Sequence, residues 1–352
     1  MLANERSPLV EPVSAYRRAD GSYVVADGGF STFNEVLVFN GRGRLVSSFG
    51  GTGDGPGEFL QVWWALSYRG DSIAVYDIRN TVSIFDDDGA FGRTVRLPDF
   101  SRPRSSVPTG TTSWAHAVYE DGSFLASPSG TTLDEGPGAL TFEAELLRVG
   151  PDGASWDTLG VFPVSQVHWD GRTLGAYPFE RIGHRALRGG ELVFGNGETW
   201  EIRVYAPDGH LSQVVRRNDA PEPVTAADMD RWTEWNVGRH ASGPEGGSAA
   251  MERASERAER VEPPETKPAF SYLLVDGAGN IWAENYRWAW DDVPPDPGPA
   301  TWSVFDPDGE WITDVEVPAR LLLRWVGTEY AIGFHVDELD AKHVQVFEIR
   351  KP

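Results

Sequence analysis

The stretch GDSIAVYDIRNTVSIFDDDGAFGRTV, residues 70–95, contains the structural vocabulary of the whole chain. One apolar run, SIAVY, ends on Asp77; a second, TVSIF, leads into Asp-Asp-Asp-Gly and then a third, alternating segment. Runs of β-branched and aromatic residues bounded by Asp and Gly read as strands, and Asp-Gly supplies the positive φ that a tight hairpin turn requires.

Both halves of this stretch recur. The hairpin phrase returns as LVFNGRGRLVSSF (37–49), LRVGPDGASWDTL (147–159), RVYAPDGHLSQVV (203–215) and SVFDPDGEWITDV (303–315). The phrase before it returns as DGSYVVAD (20–27), DGSFLASP (121–128), GGELVFGN (189–196) and GNIWAEN (279–285), and a sixth pair, EYAIGFH (329–335) and HVQVFEIR (343–350), closes the chain. Six units of about 50 residues, each with four short strands, predict an all-β fold, a six-bladed β-propeller with four-stranded antiparallel blades. The 352 residues then make one domain, with 217–268 a partly helical insertion between blades four and five.

The glycine-rich GGTGDGPGEF (50–59) falls between an outer strand and the next inner strand, so it reads as a blade-to-blade crossover with Phe49 and Phe59 tucked into neighbouring blades. A phosphate loop is excluded: no G-x-G-x-x-G register fits, no Lys follows, and the next segment reads as a strand.

Composition narrows the function. The balance of 31 Lys+Arg against 53 Asp+Glu, a net charge of -22, opposes a polyphosphate partner, so no nucleic acid is expected. Zero cysteines removes disulfides, thiolate metal sites and cysteine nucleophiles. No run approaches the ~18 apolar residues of a membrane span. The opening MLANERSPLV lacks the apolar core of a signal peptide, which leaves a leader upstream of it open.

GTGDGPGEF with VYDIRNTVSIFDDDG (75–89) resembles the NHL repeat, closely at Asp77, Asn80 and Phe85 and more loosely in the first blade at Asp27 and Asn34. The C-terminal half (FSYLLVDGAGNIWAENY, WSVFDPDGEWITDVEVP, YAIGFHVDELDAKHVQVFEI) is similar to a group of bacterial six-bladed propellers that are commonly exported and mostly uncharacterised. The resemblance implies a periplasmic or secreted protein and carries no catalytic signature. One departure concerns ring closure. Blade six supplies three strands before the chain ends, and residues 2–10, poor in β-branched residues, are the candidate for its outer strand. Either closure is weak or the natural chain starts further upstream.

With the four strands of a propeller blade lettered A to D from the central channel outward, the A–B and C–D turns lie on one face and the B–C and D–A connections on the other. The first set is tight here, whereas insertions at 98–112, 128–142, 163–180, 217–268 and 286–300 fall in the second, marking that face as the working one. In 217–268, Thr225-Ala-Ala-Asp228 resembles a capping box with Met229, Trp232 and Asn236 on one side, and SAAMERASERAERV (248–261) reads as a second helix. The pair is either a lid over the channel or a patch packed on its rim.

Candidate ligand-binding residues at the channel mouth and loop face are Trp64, Trp114, His116, His184, Trp288, Trp290 and His335. Tryptophans there suit a sugar ring or other flat ligand, against the alternative of blade-to-blade packing. By resemblance to gluconolactonase-type propellers, Glu58, Asn196 and Asn285 form a candidate oxygen-donor set for Ca²⁺ or another divalent cation; capping of the turns after the B strands is the competing role. No catalytic residue is assigned, and no G-x-S-x-G elbow is present. The first reading is a non-enzymatic binding module holding a protein partner or a small-molecule or glycan ligand. A divalent-metal-dependent lactonase, hydrolase or lyase, and a structural component of a cell-envelope assembly, are the alternatives.

Overall fold

The computed structural model describes residues 9–29, 32–98, 113–128, 136–241, 246–288 and 298–350. Blade one is β1 (Pro12–Arg17), β2 (Tyr23–Asp27), β3 (Glu35–Phe39) and β4 (Leu45–Gly50). Blade two is β5 (Val62–Tyr68), β6 (Ser72–Asp77), β7 (Thr81–Phe85) and β8 (Phe91–Arg96). Blade three is β9 (Ser113–Val118), β10 (Phe124–Pro128), β11 (Gly138–Val149) and β12 (Trp156–Trp169), with a short fifth strand, β13 (Leu174–Gly175). Blade four is β14 (His184–Arg188), β15 (Glu191–Gly195), β16 (Glu201–Tyr205) and β17 (Leu211–Arg216). Helices α1 (Ala226–Gly238) and α2 (Ser248–Ala258) come next. Blade five is β18 (Phe270–Val275), β19 (Ile281–Asn285), β20 (Ala300–Phe305) and β21 (Trp311–Val317). Blade six is β22 (Leu321–Val326), β23 (Tyr330–Val336) and β24 (Lys342–Glu348).

Every pairing within a blade is antiparallel and in chain order, and the first strands β1, β5, β9, β14, β18 and β22 touch in sequence around a closed ring. Burial follows radial position. The second strands are covered on both faces by the adjoining blades, so β2, β6 and β15 are almost continuously buried, whereas the outer β4, β8 and β21 are largely exposed. This is why YVVA, SIAVY and ELVF are unbroken apolar runs while LVSSF and FGRTV alternate.

The blades join through side chains, with one apolar seam between each adjacent pair. Blades one and two share Val24, Val36, Phe59, Val75 and Phe85; two and three share Trp64, Tyr76, Phe124 and Leu147; three and four share Leu125, Phe162, Leu192 and Phe194. Four and five share Val193, Ile202, Phe270 and Leu273; five and six share Trp302, Val304, Leu321 and Leu323. The sixth seam closes the ring: Leu322, Ile332, Phe334 and Val344 pack on Val25, Leu37 and Phe39, with Leu9 alongside. A Lys342–Glu11 ion pair at 2.6 Å and Arg17 stacked over Tyr330 add polar links across this seam. Closure is therefore a packed interface like the other five, and residues 2–8, most of the candidate outer strand, lie outside the described residues.

The crossover at 50–59 folds on itself: Phe59 N–H donates to Gly51 and Gly53 N–H to Phe59, burying the Phe59 ring beside Phe85. Gly50 sits at φ 91°, where a side chain would collide with that ring. The NHL-like aspartates clamp the incoming chain. Buried Asp77 accepts from the Leu60 and Gln61 N–H groups, and buried Asp27 does the same for Val10 and Glu11. Asn34 ties Val62 and Leu60 in the same crossover.

Blade three departs from expectation. Segments 128–142 and 163–180 were expected as two separate insertions, but residues 138–142 of one pair with 165–169 of the other, so β11 and β12 form a ribbon longer than the blade requires. In the helical insertion the capping box at Thr225 and Asp228 forms, Trp232 and Asn236 are buried, and both helices dock on Tyr177 and Phe179 through Trp232, Ala258 and Val261.

Because the closing seam is packed as tightly as the rest, Phe334→Ala should lower stability by about 3–5 kcal/mol, whereas exposed Leu339→Ala should change it by less than about 0.5 kcal/mol. Denaturant unfolding of the two variants against the parent chain measures the difference.

Candidate functional site

The first strands do not run straight past the axis. Pairing with the second strand slips by one residue at Val13, Trp63, His116, Ser271 and Arg324, in five of the six blades; β14 alone is regular. Such a bulge re-aims the extra side chain and increases local twist. In blades one and two the slot holds Val13 and Trp63, which pack into the seams. In blades three, five and six it holds His116, Ser271 and Arg324, and these line a cavity of about 790 Å³ at the axis.

The cavity lies where first strands begin and second strands end, the end that carries the B–C and D–A connections. Its wall combines His184 and Arg185 of β14, Phe270 and Tyr272 of β18, Leu322 and Leu323 of β22, Trp302 of β20, and Glu284 and Arg287 at the end of blade five's second strand. Tyr272 links three blades: its ring is 5.7 Å from His184 and 6.3 Å from Trp302, and the Arg324 guanidinium stands 5.4 Å above it.

Most charges in the wall are matched. Glu284, buried, accepts from Arg287 Nε at 2.7 Å and from Ser271 Oγ at 3.0 Å, while Arg287 Nη2 reaches the Leu321 carbonyl in blade six. Glu11 and Lys342 pair at 2.6 Å. Arg185 differs: its Nη1 is buried with no hydrogen-bond partner among the described residues. Burial pulls its guanidinium down to about 10, partly offset by Tyr272, so it stays charged at neutral pH. The two cavity histidines are held neutral. Burial, then Arg185, depresses His184 to about 3 and holds His116 well below the usual imidazole range. His116 Nε2 is 2.8 Å from Ser127 Oγ, which is itself buried and does not line the cavity.

The other sequence candidates lie elsewhere. Trp64 is buried in the seam between blades two and three, stacked on Tyr76 with Nε1 donating to the Ala115 carbonyl at 2.8 Å, and Trp114 packs edge-on against Trp63 at 5.2 Å. Trp288 is wedged between Phe179 and Trp235 under the Arg231 guanidinium, bracing the helical pair. Trp290 lies outside the described residues. His335 is on the second strand of blade six, opposite Leu321 and His343, and does not line the cavity.

The candidate metal set is not assembled there either. Glu58 is exposed and accepts from Gly55 N–H in its own crossover; Asn196 caps Glu198 N–H; Asn285 accepts from Ser303 Oγ at 2.9 Å; none lines the cavity. Among the described residues no three His, Asp or Glu side chains are placed to hold a metal ion.

What sequence reading missed were Arg185, Arg324, Tyr272 and Glu284. The signal was present in LLLRWV (321–326), where an arginine interrupts an apolar inner strand, and in GHRALR (183–188), where charge and imidazole adjoin.

This geometry agrees with what the chain is similar to. A family model described as "6-bladed beta-propeller" matches residues 2–125. The protein is a six-bladed β-propeller. Among solved structures, a member of the DUF4221 family from Bacteroides vulgatus is 12% identical, with a TM-score of 0.58 over 99% of this chain and 96% of that one. A candidate exported protein of Bacteroides fragilis is 14% identical, TM-score 0.51, over 100% of this chain and 94% of that one. The calcium-binding regucalcin of Agrobacterium tumefaciens is 11% identical, TM-score 0.47, over 98% and 91%. At these identities the likeness is one of fold alone. No curated protein matches the sequence.

The propeller's neutral histidines give a pH signature. A histidine whose folded pKa lies below its unfolded value near 6.5 binds its proton in the unfolded chain first, so its contribution to stability is complete above pH 6.5 and is lost as pH falls. Between pH 6.5 and 4.5 His184 should account for a loss of about 2 kcal/mol. In His184→Gln the melting temperature should fall less steeply over that interval than in the parent, as followed by calorimetry.

Proposed function

We propose that this propeller is a binding module whose ligand is a small molecule held in the cavity at the mouth of the central channel, and that it works outside the cytoplasm. The observation that carries the reading is the cavity's construction. About 790 Å³ is lined by side chains from blades three to six and by Glu11 ahead of β1, with a half-buried guanidinium, two neutral imidazoles and an aromatic wall converging on one space. Concave sites where polar groups converge beside aromatic side chains are a usual form of ligand site, and they keep groups that a packed channel core would leave out.

Three supports stand beside it. The candidate tryptophans Trp64, Trp114 and Trp288 are engaged in packing, which favours the axis over the outer aromatic loops. The helical pair packs on Tyr286, which is also cavity wall, so the insertion braces the mouth. For location, the similarity to a candidate exported Bacteroides fragilis protein is the support.

A thermal-shift screen of small molecules tests the reading. A ligand present at 100 times its Kd should add about 2.7 kcal/mol of stability. Ser271→Trp, which places a large side chain in the cavity, should abolish the shift, and the exposed Leu339→Trp should keep it. If every stabilising compound acts equally on the parent and on Ser271→Trp, the ligand does not sit at the axis.

A further inference from the structure

The cavity's charge pattern says what kind of molecule fits. The chain carries a net charge of -22, with acidic side chains abundant over its surface. Even so, the cavity gathers Arg185, Arg287, Arg324 and Lys342 around one space. Arg287 and Lys342 are neutralised by Glu284 and Glu11. Arg324 rests on the faces of Tyr272 and Phe334, at 5.4 and 5.8 Å from their centroids, and Glu180 adds a third carboxylate to the wall.

Arg185 is the unmatched group. Among the described residues no carboxylate lies within ion-pair distance of it, and its buried Nη1 donates to nothing. The neighbouring imidazoles offer no compensation, because both are neutral and its field helps to keep them so. A cation taken out of water without a counter-charge is costly, and protein interiors normally pair it or exclude it. A position that keeps such a charge inside an acidic protein is suited to a counter-charge that arrives with the ligand.

On the reading that the cavity binds a ligand, we propose that this ligand is an organic anion. A carboxylate or phosphate head is received by the Arg185 guanidinium, and a flat apolar body lies against Phe270, Tyr272 and Trp302. The guanidinium offers two parallel N–H donors to paired oxygens, a geometry that a lysine would not reproduce. His184, uncharged, adds a donor or acceptor without adding charge.

The test uses the full chain and isothermal titration with indole-3-acetate, phenyl phosphate and the neutral isostere indole-3-acetamide. The parent protein should bind at least one anion about tenfold or more tightly than the amide. Arg185→Met should remove that preference while leaving the amide affinity unchanged. Its melting temperature should hold or rise, since a buried uncompensated charge has been replaced by an apolar chain of similar length. Tighter binding of the carboxylate or of the phosphate assigns the head group, and either supports the proposal. Equal affinity for acid and amide in the parent would overturn the anion inference while leaving the cavity as a ligand site. A drop of several degrees in Arg185→Met would overturn it too, by assigning the guanidinium to the fold. If neither acid nor amide binds and the wider screen is also silent, the cavity reading falls with it.

Discussion

The structure rests on face-to-face apolar packing between neighbouring sheets. Strand pairing stops at the boundary of each blade, so the ring is held by six seams of buried side chains and by short polar links such as Lys342 with Glu11. This arrangement demands that each blade bury both faces of its middle strands, which is the origin of the unbroken apolar runs that repeat along the chain. It also explains why the ring closes between blades six and one: Phe334 and Ile332 need only apolar partners, and Leu37 and Phe39 supply them.

The crossovers and the cavity are the two places where polar chemistry enters this scaffold. At the crossovers, Asp27 and Asp77 satisfy the N–H groups of a chain turning inward, so their burial serves geometry. At the axis the polar groups exceed what geometry needs. Glu284 and Arg287 stitch blade five to blade six, yet Arg185 Nη1 is left without a hydrogen-bond partner among the described residues, and the two histidines beside it are discharged by burial.

The ring architecture was legible in the sequence because it is written as repetition: a period-two pattern, an Asp-Gly turn, and the same again. The helical insertion was legible for a related reason, since Thr225, Asp228 and Trp232 obey local rules of capping and periodicity. The pocket was harder to read. His116 and His184 stand out as rare residues on inner strands, but Tyr272, Arg324 and Glu284 look like ordinary members of amphipathic segments. A one-residue slip in strand pairing selects Arg324, and the slip at Ser271 adjoins the Tyr272–Glu284 pair; such a slip is a property of two strands together that neither sequence displays alone. Tryptophans misled for the opposite reason: they are conspicuous, and Trp64 and Trp288 are large because the seam and the helical pair need volume.

The recurring slip on the first strands has an evolutionary consequence. Five of the six blades release one residue from the pleat, and in blades three, five and six a substitution there rewrites the chemistry at the hub while the surrounding staves keep their fit. His116, Ser271 and Arg324 are three settings of the same dial, with Val13 and Trp63 turned into the seams, and a lineage of such rings could change what it grips one setting at a time without ever having to rebuild the wheel.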